Sequence, residues 1–376
     1  MTAKDKLLFT PGPFTTSRTV KQAMLRDLGS RDFEFIGIIR DIRSRLLALG
    51  GVTDEEYACI PMQGSGTYSV EAVISTAVPA NGKVLVIVNG AYGRRIAQIA
   101  TALKIPVETL VYPENVKPHP EKEVAAKLKE DPSITHVAII HCETTTGMIN
   151  PVKEVGKVVK EFGRTYFVDA MSSFGAIPLD LKEANIDYMV SSANKCIEGV
   201  PGFGFVIARR AALQASAGSA RSVSLDILAQ LKGLEKDGQF RFTPPTHVLV
   251  AFHQALLELE KEGGVEARGA RYRANYETLI QAMRSMGFVE YLKPEDQSCI
   301  ITSFRYPKHP NYQFEEFYRR LNEKGYVIYP GKVSDEDCFR IGTIGRIYPN
   351  DLQDLTGAIA RVMVEMNIPT AQPALV

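Results

Sequence analysis

Six short apolar runs recur between residues 83 and 208, and the residues between them carry apolar side chains at helical spacing. Lys83–Val88 and His136–Ile140 are almost unbroken, the mark of strands covered on both faces. Val107 to Val111, Thr165 to Val168, Ile186 to Val190 and Phe203 to Ala208 extend the series. A segment before them, 67–78, and the intervening segments to about 103, over 120–129 and along the face Val152, Val155, Val158, Val159 and Phe162 read as helices. Strands and helices alternating at these lengths predict a doubly wound α/β domain with a mostly parallel sheet. In that architecture ligands bind beyond the carboxyl ends of the strands, so those ends are where chemistry is to be sought.

Several unusual residues fall at predicted strand ends. Gln63-Gly64-Ser65-Gly66-Thr67 is a glycine-rich turn running into a helix, where free N–H groups and the helix dipole favour an anion. It departs from the dinucleotide fingerprint, since Ser69 stands where the third glycine belongs. By itself such a turn is as often plain punctuation. Tyr92 follows the strand 83–88 and could cover a flat ring, or simply pack. Thr144 lies in His141-Cys142-Glu143-Thr144-Thr145-Thr146-Gly147 after the strand 136–140. His141 and Glu143 lack further ligands at metal-site spacing, so no metal is expected. Asp169 ends the strand 165–168. Lys195 sits in Ser191-Ser192-Ala193-Asn194-Lys195-Cys196, between two buried runs. An ordinary loop lysine snorkels to water, but one held between buried strands is driven toward the neutral, nucleophilic amine. Pyridoxal 5'-phosphate requires a lysine to bond its aldehyde and an acid to pair with its ring nitrogen, and Lys195 and Asp169 could supply both.

The flanking segments predict a second, smaller α+β unit. An extended arm, Leu7 to Pro13, precedes helices over 19–28 and 35–49. Long helices over 248–262 and 265–286 lead to a strand 298–306, a helix 314–324, strands 326–329 and 338–342, and a last helix from about 350. Residues 368–376 read as a loose tail. The expected division is 20–263 for the large domain, and 1–19 with 264–376 for the small one. Arg340 interrupts an apolar strand, where an unpaired charge is costly. It needs either an internal acid or an acidic ligand, and its fork suits a carboxylate or a phosphonate. A net charge of +1 gives no general attraction to nucleic acid or anionic membrane. No apolar run reaches membrane-span length, and residues 1–6 hold no apolar signal core. Five scattered cysteines with no Cys-x-x-Cys pair point to reduced thiols in a cytoplasm.

Taken together, Thr10-Pro11-Gly12-Pro13, Gly64-Ser65-Gly66-Thr67, Asn89-Gly90-Ala91-Tyr92-Gly93, the 141–147 segment, Val168-Asp169-Ala170 and Ser191 to Lys195 resemble the class V aminotransferase family of fold-type I pyridoxal-phosphate enzymes. Within that family the wording of 167–175, 194–202, Tyr329-Pro330-Gly331-Lys332-Val333-Ser334 and Phe339-Arg340-Ile341-Gly342 implies transfer of the amino group of 2-aminoethylphosphonate to pyruvate. Alanine–glyoxylate or serine–pyruvate transfer is the alternative, and a cofactor-free binding protein on the same scaffold the remote one. The resemblance implies that Lys195 and Asp169 are catalytic. It implies that Tyr92 stacks on the cofactor ring, Thr144 touches its hydroxyl edge, and Ser65, Gly66, Thr67 and Ser192 hold its phosphate. Thr243 would reach the phosphate in a neighbouring subunit, making a homodimer with shared sites. Arg340 would bind the acidic group of each substrate.

Overall fold

The computed structural model describes residues 5–331 and 336–371. Lys332, Val333 and Ser334 of the family-like wording, and tail residues 372–376, lie outside the described residues.

An arm carrying β1 (Leu7–Leu8) leads into α1 (Arg18–Ala23) and α2 (Phe33–Leu49). The alternation follows: β2 (Tyr57–Gln63), α3 (Gly66–Ala77), β3 (Lys83–Val88), α4 (Ala91–Ala102), β4 (Val107–Val111), α5 (Glu121–Glu130) and β5 (Ile134–Ile140). A hairpin of β6 (Cys142–Glu143) and β7 (Met148–Ile149) precedes α6 (Val152–Glu161), β8 (Thr165–Asp169), β9 (Tyr188–Ser192) and β10 (Phe203–Arg209). Seven of these strands form one sheet in the order β2-β10-β9-β8-β5-β3-β4. β10 pairs antiparallel with both its neighbours, while the pairs among β9, β8, β5, β3 and β4 are parallel. The carboxyl ends of six strands therefore share one edge. Helices on both faces follow the expected period: Val152, Val155 and Val159 of α6 are buried, while its lysines point outward.

After β10 come α7 (Arg210–Ala215) and α8 (Ile227–Lys236), then the long α9 (Thr246–Glu262) and α10 (Gly264–Ser285). The carboxyl-terminal part holds β11 (Ile301–Arg305), α11 (Phe314–Glu323), β12 (Tyr326–Val327), β13 (Tyr329–Pro330), β14 (Cys338–Gly342) and α12 (Pro349–Glu365). Its sheet runs β11-β14-β13, all antiparallel, and β12 pairs in parallel with β1 of the arm.

Four expectations shift. The helix expected to reach residue 28 stops at Ala23; Leu25 finds no apolar surface and is 83% exposed. The strand expected over 186–190 runs from 188 to 192, because Ser191 and Ser192 pair with Phe205 and Gly204. The run 326–329 divides at Ile328 between two different sheets. Residues 368–371 are packed rather than loose: Ile368 and Ala371 are buried, and the Ala371 N–H donates to the Met286 carbonyl at 2.9 Å.

The apolar interior falls into two main clusters. One is built from residues between Val20 and Leu259 around the large sheet. The other joins Phe9 of the arm to residues between Leu279 and Ala371. At the centre of the second, the Phe339 ring lies 5.5–6.3 Å from the rings of Phe288, Phe304, Tyr306, Phe314 and Phe317. Truncating Phe339 to Ala removes this shared partner from a site with no solvent access, at an expected cost of about 3–5 kcal/mol. Urea unfolding of Phe339→Ala against the parent measures it.

Candidate active site

The shared strand edge opens into a cavity of about 180 Å³. Each wall follows from local structure. At one end β2 turns through Gly64, at φ 106°, into α3. Ser65 gives that helix no side-chain cap, so the N–H groups of Gly66 and Thr67 lack helical partners and face the cavity end. A Cβ on Gly66 would run into the Met171 sulfur and come within 3.3 Å of the Ser192 Cβ, so backbone meets cavity here because no side chain fits. Tyr92 comes from the first turn of α4. That turn is fixed from below by the buried Glu143 carboxylate, which accepts from the N–H groups of Tyr92 (3.4 Å), Gly93 (3.3 Å) and Thr145 (3.2 Å). Glu143 is thus engaged by backbone donors, and the His141 ring by the Ser173 hydroxyl at 2.8 Å. Thr144 and Ser172 share a hydroxyl hydrogen bond of 2.6 Å beside the cavity floor.

Asp169, at the end of β8, and Lys195, beyond the end of β9, face the same space. Asp169 is almost fully buried and accepts from the Met171 N–H at 2.9 Å. Burial raises its pKa to about 7, against the pull of the Met171 N–H and of Lys195. Lys195 is open only to the cavity, and its amine donates to the Pro11 carbonyl of the arm. Removal from bulk water lowers its pKa to about 8, with Asp169 opposing that fall and Arg340 adding to it. Each group is therefore poised near neutrality, where proton exchange is least costly.

Arg340 lies on β14 with its guanidinium wholly buried. Nε donates to the Pro330 carbonyl and Nη1 to the Thr144 carbonyl, both at 3.0 Å, and Nη2 has no hydrogen-bond partner among the described residues. Two backbone carbonyls hold this charge, with the Tyr329 ring centre 5.2 Å away and the Tyr92 hydroxyl beside it; no carboxylate pairs with it among the described residues.

A family model, Aminotransferase class-V, matches residues 16–335. The chain belongs to the class-V aminotransferases. Over 361 residues it is 55% identical to a protein of Vibrio vulnificus strain CMCP6 named 2-aminoethylphosphonate–pyruvate transaminase, covering 96% of this chain and 98% of that one. A Salmonella typhimurium protein of the same name is 51% identical over 365 residues, covering 96% and 99%. Among solved structures, alanine–glyoxylate aminotransferase from Nostoc superposes with a TM-score of 0.88 at 24% identity, covering 96% of each chain. Pyridoxamine–pyruvate aminotransferase from Mesorhizobium loti gives 0.88 at 22%, covering 98% of this chain and 95% of that one. The fold is therefore the fold-type I one expected, and the family's cofactor is pyridoxal 5'-phosphate.

The residues of this aminotransferase fit that cofactor. The uncapped helix start and the glycine cradle suit a phosphate, and the buried acid and amine suit its ring nitrogen and aldehyde. Of the residues singled out in the sequence, Ser65, Gly66, Thr67, Tyr92, Thr144, Asp169, Ser192 and Lys195 all border the one cavity. Arg340 adjoins it through the Thr144 carbonyl. Thr243 does not: its side chain is exposed, and its carbonyl accepts from Gln63 Nε2 at 3.2 Å. Contributors outside that set include Ser172, Arg95 and Pro11. Arg95 borders the cavity with its guanidinium 4.8 Å from the Tyr92 ring centre and 3.4 Å from the Thr67 hydroxyl. Its spacing of three from Tyr92 on a predicted helix was the available signal. Pro11 acts through a carbonyl, which leaves no signature in a side-chain reading.

Because burial holds the Asp169 pKa near 7 in place of 3.8, the folded state binds the extra proton between those values, and stability falls as pH rises through that window. Asp169→Asn does not titrate. Cofactor-stripped Asp169→Asn protein should match the parent in thermal midpoint near pH 4 and exceed it by pH 8. Melting curves across that range are the check.

Proposed function

We propose that this aminotransferase moves the amino group of 2-aminoethylphosphonate to pyruvate, giving phosphonoacetaldehyde and L-alanine. Full-length relatives of that name at 51–55% identity support the substrate pair. The observation that carries it within the chain is Arg340: a buried guanidinium beside the cavity, bonded to two carbonyls, with no carboxylate partner among the described residues and with Nη2 unpartnered there. Such a group is stabilised by a ligand anion, and both a phosphonate and a carboxylate match its fork.

Bound pyridoxal phosphate supplies an electron sink for the negative charge that develops on the amine-bearing carbon. The protein's residues do the rest. Lys195 would hold the cofactor through its amine and would move a proton to and from the substrate carbon. Burial favours the neutral amine that this task requires. Asp169 would hold a proton at the ring nitrogen, Tyr92 would lie against the ring, and Thr144 would meet its hydroxyl group. Ser65, Gly66, Thr67 and Ser192 hold the phosphate, and Arg95 adds a positive charge near Thr67.

The reading takes residues 20–263 as the cofactor domain, with 1–19 and 264–376 as the domain that brings Arg340; the two apolar clusters support this division. It also takes the active unit to be a homodimer in which Thr243 serves the neighbouring site. The exposure of Thr243 and Phe242 supports that. Five unpaired cysteines support a cytoplasmic setting.

The test is the absorbance spectrum of the purified holoenzyme. Adding 2-aminoethylphosphonate without pyruvate should abolish the lysine-bound cofactor band, and pyruvate should restore it. A band that ignores the phosphonate but responds to alanine or serine would replace the substrate and leave the family intact. Lys195→Ala should fold and lose turnover. Arg340→Ala should slow both half-reactions by at least about tenfold, the scale of a lost charge-assisted contact; loss in only one half would separate the two anion sites.

A further inference from the structure

Close behind Lys195 the chain buries a carboxylate, Glu198. Its N–H donates to the Lys195 carbonyl at 2.7 Å, closing a tight turn. Glu198 adopts φ 67°, a left-handed conformation unfavourable for a residue with a side chain. One carboxylate oxygen accepts from Arg271 Nη2 at 2.7 Å and from the Tyr272 hydroxyl at 2.6 Å, both on α10. Arg268, fully buried on the same helix, lies 3.6 Å from that oxygen. Arg268 also donates to the carbonyl of Cys196, the residue after Lys195, and to Glu262 at the end of α9.

The same helix reaches the other way. Arg271 Nη1 donates to the carbonyls of Gly345 (2.7 Å) and Ile347 (3.2 Å), and the Tyr272 hydroxyl accepts the Gly345 N–H at 3.3 Å. Asn275 adds bonds to the carbonyls of Thr343 and Ile347, each 3.0 Å. Residues 343–347 are the continuation of β14, the strand that carries Arg340.

Two acids and two guanidiniums balance in charge, but burying them is a poor route to stability, since apolar replacements of buried ion pairs are often neutral or better. What such a set provides that apolar packing does not is direction: charge-assisted bonds fix orientation as well as contact. Here those bonds fasten the turn holding the amine and the segment following the guanidinium to one helix.

We propose that Glu198 is a positioning residue: through Arg271 and Tyr272 it fixes the separation of the Lys195 amine from the Arg340 guanidinium, so that a substrate with an amine at one end and an acid at the other engages both at once. The proposal rests on the roles given to Lys195 and Arg340 above. The amine itself also feels Asp169, Arg340, Cys142 and Cys196, none of which Glu198 touches with its side chain.

The experiment compares two amines in single turnover, read as decay of the holoenzyme band: 2-aminoethylphosphonate and ethylamine, which lacks the acidic group. In Glu198→Gln the preference for the phosphonate should fall on the order of tenfold, since a misplacement of about 1 Å can cost about a hundredfold. The ethylamine rate should stay near that of the parent. Equal loss with both amines would mean that Glu198 merely supports Lys195, and would overturn the proposal; so would no loss with either. Arg271→Lys keeps the charge but not the fork. It carries the same expectation if Glu198→Gln fails to fold. A parent enzyme that treats both amines alike would instead remove the Arg340 assignment, a separate failure visible before any substitution.

Discussion

A carboxylic acid and an amine are withdrawn from bulk water at one cavity, and much of the surrounding structure answers that constraint. Burial penalises both ions. Each lowers the penalty on the other, which leaves Asp169 and Lys195 with pKa values of about 7 and 8. Such a pair has to be held by elements that do not yield. Asp169 ends a central strand paired on both sides, and Lys195 follows the neighbouring strand. Their alignment is thus set by the register of the sheet.

The sheet supplies one half of the site and the carboxyl-terminal part the other. Parallel pairing brings Val88, Ile140, Asp169 and Ser192 to one edge, and two successive antiparallel pairs through β10 bring Gln63 there. The phosphate-suited turn, Tyr92, the Thr144–Ser172 hydroxyl pair and Lys195 all follow from that arrangement. Arg340 arrives from a different sheet and a different apolar cluster. Its bond to the Thr144 carbonyl, and the network on α10, are where the two halves meet at the chemistry.

The large sheet was legible because an unbroken apolar run as short as 83–88 suits a strand covered on both faces and little else; its reactive edge then follows from strand direction. The carboxyl-terminal part was less so. Its run 326–329 serves two sheets, and periodicity cannot show where one partner is exchanged for another. The helix over 227–236 carries a clear apolar face at Ile227, Leu228, Leu231 and Leu234, yet drew no expectation after the Ser- and Gly-rich stretch before it. Within the site, Lys195 and Asp169 could be argued from chemistry at strand ends. The individual roles of Tyr92, Thr144, Ser192 and Thr243 came from family resemblance. Pro11, Arg268 and Glu262 act at separations along the chain that no local pattern encodes.

The arm at residues 7–13 gives the molecule an order of assembly. β1 pairs with β12, more than 300 positions away, and the Thr10 carbonyl lies against Gly342, where no side chain could fit. Pro11, next along, holds the amine of Lys195. During synthesis the large sheet can close once β10 has emerged, since domains fold as their residues become available. The arm, made first, has its partners made last. Lys195 therefore gains its final neighbour only after the carboxyl-terminal part has formed, and a nascent chain completes its large sheet well before it completes its cavity.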